Sequence, residues 1–115
     1  MTNNYDIVIK QGSFRKYTLI VKSDGSTPDD LSEFTARMQV RPHSGANTLF
    51  DELTTSNSRI VITGALGKIE LFFPDTVSSK YRFGNAVYDL ELLSSGGVVT
   101  RLLQGSFTVD FEVTV

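Results

Sequence analysis

The single histidine of this sequence, His43, is the residue on which an acid-base mechanism would depend. A Ser-His-Asp or Cys-His hydrolase needs an imidazole to accept the proton of its nucleophile. His43 lies in the stretch Pro42-His43-Ser44-Gly45, whose residue types are typical of a turn. Neither a Gly-x-Ser-x-Gly pattern nor any cysteine accompanies it. We therefore predict that His43 is a solvated turn residue and that the protein is not an enzyme.

Acidic residues offer two further possibilities, the first of which is a cation site. Asp24, Asp29 and Asp30 fall in one predicted loop and carry the oxygen ligands that hard cations prefer. Their spacing does not fit an EF-hand loop, which needs acids at alternate positions, a central glycine and a closing glutamate. Turn and capping roles explain these residues better, so we predict no metal and no cofactor.

Carboxylate pairs are the second possibility. Asp89 and Glu91 share the outer face of one predicted strand, and Asp110 and Glu112 share that of another. If these strands were neighbours, the four carboxylates could approach one another as the acid and base of a glycosidase do. Solvated polar faces of half-buried strands are the simpler interpretation.

Arg37, Gln39 and Arg41 form a basic strip on the outer face of one predicted strand. Further basic residues stand early in the chain: Lys10, Arg15, Lys16 and Lys22. Proteins that bind single-stranded nucleic acids use exposed aromatic residues to stack the bases, and none is interleaved with this strip. The 11 basic and 13 acidic residues leave a net charge of −2, too small to attract DNA or an anionic membrane. We therefore predict no nucleic-acid and no membrane partner, and expect a solubilising surface or a protein contact here.

The elements that carry these residues are β-strands, because apolar and polar side chains alternate along most of the chain. The alternation predicts eight or nine strands, in the ranges 5–11, 14–22, 34–41, 48–53, 59–63, 68–73, 85–94, 98–104 and 106–115. Turns rich in glycine and polar residues separate them, and Gly12 marks a bend or bulge. Residues 74–79 suit one short helical turn that acts as a crossover. This spacing is typical of an all-β sandwich or a small barrel.

The last predicted strand has apolar residues at every second position from Phe107 to Val115. We expect it to be half-buried, to close the fold at the C-terminus, and to serve either its own sheet or a contact with another copy. Leu31, alone among polar neighbours, should cover one end of the core. The predicted core comprises Ile7, Ile9, Leu19, Val21, Leu31, Phe34, Ala36, Met38, Val40, Ile60, Ile62, Ile69, Leu71, Tyr88, Leu90, Phe107, Val109 and Phe111.

Length and composition indicate one globular domain, residues 1–115. Apolar residues make up 40% of the sequence and charged residues 21%, so a packed core is expected rather than disorder. The N-terminal residues lack the basic stretch and apolar run of a signal peptide, and no apolar stretch reaches the length of a membrane span. We expect a soluble protein made in the cytosol.

Apolar residues interrupt the outer faces of several predicted strands, which indicates surfaces covered by a partner, or else burial on both faces within a sandwich. They are Val8, Ile20, Val61, Phe72 and Val87. A terminal strand at a sheet edge would add a site for strand pairing. The predicted partner-binding residues are Val8, Ile20, Arg37, Arg41, Phe72, Val87, Val113 and Val115.

Three parts of the sequence, taken in order, look like small β-sandwich proteins of tailed bacteriophages. They are residues 5–12, then Pro28-Asp29-Asp30-Leu31 with residues 34–41, and finally residues 87–92, 99–105 and 109–115. The chain is also similar over nearly its whole length to the N-terminal domain of upper baseplate proteins, an immunoglobulin-like module that anchors host-recognition apparatus to the tail. The resemblance implies a single antiparallel β-sandwich of immunoglobulin-like type.

The resemblance further implies a virion structural protein in the tail, baseplate or fibre-attachment region, made in the host cytoplasm and acting by stoichiometric assembly. Its partners would be other virion proteins and further copies of the chain. Longer baseplate proteins continue into a helical linker and a receptor-binding head, so for this chain we expect an adaptor, joint or decoration role. Two alternatives stay open: a capsid decoration or head-fibre protein, and a carbohydrate-binding module with Tyr81, Phe83 and Phe50 as its aromatic platform.

Overall fold

The computed structural model describes residues 3–22 and 25–111, and almost every regular element in it is a strand. The strands and the one α-helix are, in chain order, β1 (Asn3–Asn4), β2 (Ile7–Lys10), β3 (Arg15–Ile20), β4 (Thr35–Arg41), β5 (Asp51–Thr54), β6 (Ile60–Thr63), β7 (Lys68–Phe73), α1 (Asp75–Ser78), β8 (Asn85–Leu93) and β9 (Val99–Asp110). A 3₁₀ turn, Gly64–Leu66, joins β6 to β7 as a hairpin.

The strands form two sheets, so the fold is the sandwich and not the small barrel that the alternation also allowed. The large sheet has the order β1-β9-β8-β4-β5, with β2 also paired to β9, and the small sheet has the order β3-β7-β6. This connectivity matches an immunoglobulin-like sandwich, in which strands G, F, C and C′ form one sheet and B, E and D the other. The predicted all-β sandwich of immunoglobulin-like type is therefore confirmed.

The pairing of the first strands differs from the fully antiparallel arrangement that was predicted. β1 and β2 both run parallel to β9, with Asn3 opposite Leu103 and Ile7 opposite Phe107. The chain turns at Gly12, where φ is 83°, and passes into the small sheet as β3, so β2 and β3 do not form a hairpin. Alternation identifies a strand but carries no information about the direction of a partner that is distant in sequence.

The two strands predicted on either side of Gly105 are one continuous strand, β9. A Cβ atom at Gly105 would lie 2.3 Å from the carbonyl oxygen of Tyr5, so the glycine allows the β1–β2 junction to approach β9 closely. The interruption in β9 lies nearby instead. Leu90 pairs with Leu103 and Glu91 pairs with Arg101, which leaves Leu102 as the extra residue of a bulge.

The predicted core is confirmed except at Phe111. Leu19, Val21, Phe34 and Ile62 are partly buried against the core, Leu31 is buried as predicted, and the other members are fully buried. Phe111 is 48% exposed, because it follows the end of β9. Residues 112–115, including Glu112, Val113 and Val115, lie outside the described part of the chain. The predictions missed these buried core residues: Leu53, Phe73, Tyr81, Ala86 and Leu92.

The predicted helical turn is α1, and it carries the chain from β7 in the small sheet to β8 in the large sheet. Its Ser78 is fully buried and donates a hydrogen bond of 2.8 Å to the carbonyl oxygen of Ser13, which ties the crossover to the loop before β3. Over residues 3–22 and 25–111, no helix has the length and apolar character to cross a membrane.

Candidate functional site

His43 occupies an exposed turn after β4, as the sequence predicts. Its Nδ1 atom lies 3.1 Å from the carbonyl oxygen of Ser44, and its own carbonyl oxygen accepts a hydrogen bond of 3.1 Å from the amide of Ala46. His43 is therefore part of a local turn. That the protein is not an enzyme stays a prediction.

The acidic loop before β4 has the turn geometry that was predicted. The Oδ1 atom of Asp30 accepts hydrogen bonds from the hydroxyl and, at 3.0 Å, from the amide of Ser32, and these bonds hold the pKa of Asp30 below its usual value. Asp24 lies outside the described residues. In the part of the chain that the structure describes, no three metal-ligating side chains come together.

Of the four carboxylates, Asp89 and Glu91 lie on β8 and Asp110 on the neighbouring strand β9, while Glu112 lies outside the described residues. Asp89 on β8 is opposite Gln104, whereas Asp110 lies six residues farther along β9 and is opposite Lys10 of β2. That separation is about 20 Å at the rise of a β-strand. Each acid of β8 faces an arginine instead, with Glu91 at 2.7 Å from Arg37 and Asp89 at 3.5 Å from Arg101. Asp89 and Asp110 are therefore too far apart to act together as the acid and base of a glycosidase.

A row of polar side chains crosses the outer face of the large sheet. In register across β5, β4, β8, β9 and β1 stand Glu52, Gln39, Asp89, Gln104 and Asn4. The side-chain amide of Gln39 donates a hydrogen bond of 2.8 Å to the carboxylate of Glu52, and the side-chain amide of Gln104 donates one of 3.2 Å to the Oδ1 atom of Asn4. Because cross-strand neighbours on one face lie close together, the row forms a continuous polar surface.

The predicted basic strip is part of this surface, and both of its arginines bond to neighbouring groups. Arg41 donates to Gln39 at 3.0 Å and to the carbonyl oxygen of Ala46 at 3.0 Å, so its guanidinium is fixed against the turn that contains His43. The ion pair with Glu91 raises the pKa of Arg37 above its ordinary value. The face therefore presents arginine and carboxylate groups in alternation rather than a purely basic strip.

A groove of about 510 Å³ lies on this face, between the turn after β4 and the strands β8 and β9. Arg41, Val87, Asp89, Arg101 and Gln104 are among the residues that line it. Partial burial, followed by the charge of Glu91, raises the pKa of Asp89, which Arg101 offsets only in part. A partly desolvated carboxylate beside arginines and amides can form charge-assisted hydrogen bonds with a polar partner.

The structure places the predicted partner-binding residues on more than one surface. Arg37, Arg41 and Val87 lie together on the outer face of the large sheet. Val8 and Ile20 are exposed on β2 and β3, and Phe72 is half-buried on the outer face of the small sheet. Val113 and Val115 lie outside the described residues.

Four polar residues of the groove and its row belonged to none of the candidate sites considered from the sequence: Asn4, Glu52, Arg101 and Gln104. Asn4 precedes the first predicted strand, and alternation alone would put Arg101 and Gln104, three residues apart, on opposite faces. The bulge at Leu102 and the register of non-adjacent strands bring these residues beside Gln39 and Asp89. No signal in the sequence alone gives that register.

The predicted aromatic platform is wrong for Tyr81, which is only 5% exposed. Its hydroxyl bonds to the Oδ2 atom of Asp51, which also pairs with Arg59 at 2.9 Å. Burial, then the bond to Asp51, raises the pKa of Tyr81 well above its ordinary value. Phe50 stacks on Phe83 with ring centroids 4.2 Å apart, so these two rings are half-buried against each other.

Neither a protein-family model nor a curated protein matches this sequence. Among solved structures, the chain is similar to Drosophila OTK, extracellular domains 3-5, with 15% sequence identity and a TM-score of 0.41. The match covers 90% of this chain and 32% of the OTK chain. The strand order described above, and not this likeness, is what establishes the immunoglobulin-like fold.

Proposed function

We propose that this chain is a virion structural protein of a tailed phage, an adaptor in the tail, baseplate or fibre-attachment region. It is made in the host cytoplasm and works by stoichiometric assembly with other virion proteins and with further copies of itself. Two things support the proposal: the resemblance of the sequence to small phage β-sandwich proteins, and the polar groove on the outer face of the large sheet.

The groove is the single observation that carries the binding role. Its side chains are held in place before any partner arrives, by the contact of Arg101 with Asp89 across β9 and β8 and by that of Arg41 with Gln39 along β4. A preorganised surface loses less side-chain entropy when a partner binds. Paired arginines and carboxylates also favour a partner whose own charges complement them, and such complementarity gives specificity. Attachment by a fixed polar surface is the function that this geometry supports best.

The groove can be tested by reversing one of its charges. Arg101→Glu places a carboxylate beside Asp89 and should reduce incorporation of the protein into particles by at least about tenfold. Lys80→Glu, an exposed position after α1, is the matched control and should incorporate normally. Incorporation is measured by mass spectrometry of purified particles, with thermal unfolding as the check that both variants fold. Normal incorporation of a folded Arg101→Glu protein would remove the groove from the proposal.

The location in the virion is tested separately by a cryo-electron microscopy map of the purified particle. We expect ordered density for the sandwich, repeated by the symmetry of the tail or baseplate. Density on the capsid would favour the decoration or head-fibre alternative, which uses the same sandwich on another surface. A particle that lacks the chain would contradict the proposal.

The carbohydrate-binding alternative has less support, since the rings on which it depends are buried or stacked on each other. The one aromatic residue that lines the groove, among residues 3–22 and 25–111, is Tyr88, which is buried with its hydroxyl bonded to the carbonyl oxygen of Tyr5. A sugar ring therefore has no exposed aromatic face to stack on there.

A further inference from the structure

β3 forms one edge of the small sheet, and β6 forms the other. β3 pairs with β7 alone, over six residues from Arg15 opposite Phe73 to Ile20 opposite Lys68. In many immunoglobulin-like sandwiches a first strand, A, completes this sheet beside strand B. Here the first strands, β1 and β2, pair with β9 in the large sheet, so within residues 3–22 and 25–111 no strand lies on the other side of β3.

The pairing pattern identifies the backbone groups that point into this vacancy. The amide of Phe72 donates to the carbonyl oxygen of Arg59, on the β6 side of β7, at 2.9 Å. Lys16 stands opposite Phe72, so its own N–H and C=O groups point away from β7. Because this orientation repeats at every second residue, Thr18 and Ile20 also direct their backbone groups outward. Across the described residues, these outward groups have no hydrogen-bond partner.

An apolar cleft of about 270 Å³ runs along this edge. Ile7, Leu71 and Leu103 are among its lining residues, and Tyr17 and Leu19 line it from β3. These two side chains point into the sandwich yet are only half-buried, whereas Leu71 on the neighbouring strand is fully buried. The inner face of β3 therefore lacks the cover that another strand would supply.

On β2, which lies on the other side of the cleft, the backbone groups of Val8 already have hydrogen-bond partners. The Tyr17 hydroxyl donates to the carbonyl oxygen of Val8 at 3.0 Å and accepts from the Val8 amide at 3.3 Å. Lys16, whose charge would otherwise discourage pairing at an edge, is held on the face of the sheet by Glu70 at 3.4 Å. Of β2 and β3, the strands on the two sides of the cleft, β3 is therefore the one whose outward backbone groups lack partners among the described residues.

We propose that β3 accepts an extended segment of another protein as a fourth strand of the small sheet. Alternate apolar side chains of the segment would enter the cleft over Tyr17 and Leu19, while its backbone pairs with Lys16, Thr18 and Ile20. Exposed Arg15 at the start of β3 favours a segment with a carboxylate at that end. This surface is separate from the polar groove, and the inference does not depend on a viral origin.

A whole second copy of the chain fits the vacancy less well than a single strand. The cleft is lined on its far side by Asn4, Tyr5 and Ile7, which belong to or lie between β1 and β2. A second copy paired edge to edge would bring its own β1 and β2 to the same side of the sandwich. A segment one strand wide meets no such obstacle.

A tethered strand tests the proposal in the full chain. A short segment that alternates valine and threonine and carries one aspartate is joined to the N-terminus by a Gly/Ser linker, which gives a high local concentration near the cleft. We expect amide hydrogen exchange at Lys16, Thr18 and Ile20 to slow by about tenfold or more relative to the untethered protein. The amides of Tyr17 and Leu19, which face β7, should change little.

The matched control carries proline in place of the tethered threonines, which removes the donors that pairing needs. Slowed exchange with the threonine tether and not with the proline tether supports the proposal. Equal exchange in both proteins overturns it. The proposal is also overturned if, in the untethered protein, protection of the same amides increases with protein concentration. A second copy of the chain would then be the occupant. Neither result bears on the polar groove, which the Arg101→Glu variant tests.

Discussion

At the scale of single residues, Phe107 and Phe111 show that the burial of a side chain depends on the strands beside it. Phe107 is fully buried and its ring centroid lies 5.7 Å from that of Phe73 and 5.9 Å from that of Tyr81. Phe111, in phase with it in the alternation, is 48% exposed. Phe107 has β8 and β2 on either side, whereas Phe111 lies beyond the residues of β9 that pair with either strand.

Phe107→Ala should lower the free energy of unfolding by about 3–5 kcal/mol, because it leaves a cavity among rings that cannot move to fill it. Phe111→Ala is the matched control and should change stability by less than about 1 kcal/mol. Urea denaturation of both variants measures the difference. Equal losses would contradict the burial described for the two rings.

The hydroxyl of Tyr81 should contribute to stability through its bond to Asp51. Tyr81→Phe keeps the ring contacts but removes one of the hydrogen-bond donors to the Asp51 carboxylate, which would then be left with Arg59. We expect the free energy of unfolding to fall by about 1.5–3 kcal/mol. Tyr5→Phe, at an exposed ring, should cost no more than about 0.5 kcal/mol. Thermal or urea unfolding separates the two, and a neutral Tyr81→Phe variant would show that the bond contributes nothing.

At the scale of the element, β9 is the strand on which the large sheet depends. It pairs in parallel with β1 and β2 on one side and antiparallel with β8 on the other. It also carries Gln104 of the polar row and Arg101 of the groove. Any change that separates β1 from β9 should therefore disturb both the edge of the sheet and the candidate site.

Gly105→Ala should act in this way. The added Cβ would lie 2.3 Å from the carbonyl oxygen and 2.9 Å from the carbonyl carbon of Tyr5, so the β1–β2 junction must move, at an expected cost of about 1–3 kcal/mol. Gly96→Ala is the control, since its Cβ would meet nothing closer than Ser94 Oγ at 3.8 Å. Urea denaturation of both proteins measures the cost, and equal stability would mean that the close approach is not required.

At the scale of the whole molecule, two buried tyrosine hydroxyls tie distant parts of the chain together. Tyr81 reaches Asp51, and Tyr88 on β8 donates to the carbonyl oxygen of Tyr5. Burial raises the pKa of both hydroxyls above 10.0, the value of an unperturbed tyrosine. The neutral form is therefore favoured in the folded protein more than in the unfolded chain.

Stability should consequently fall in alkali. A group whose pKa is higher in the folded state contributes fully below its unfolded pKa, and that contribution is lost as pH rises toward the folded pKa. We expect the free energy of unfolding to decrease as pH increases above about 10. Tyr81→Phe and Tyr88→Phe should each flatten this decrease. Denaturation curves collected across that range test the expectation, and a wild-type curve no steeper than those of the variants would contradict it.

The strands could be predicted because alternation is a local property. Residues 68–73 and 85–94 were assigned from their own side chains, and so were the helical turn at 74–79 and the solvated turn at His43. A strand with one buried face must place its apolar residues in phase, wherever its partner lies. The core followed from the same rule, except where strand ends decide burial, as at Phe111.

The sequence by itself indicated where most of the strands lie, which side of most of them is buried, and that the fold is an all-β sandwich or a small barrel. Only the tertiary structure decided the parallel pairing of β2 with β9, the row from Glu52 to Asn4, the buried position of Tyr81, and the vacancy beside β3. These features depend on which strands become neighbours and in what register. Residues about a hundred positions apart must meet to form them, and a period of two residues is the same for every such partner.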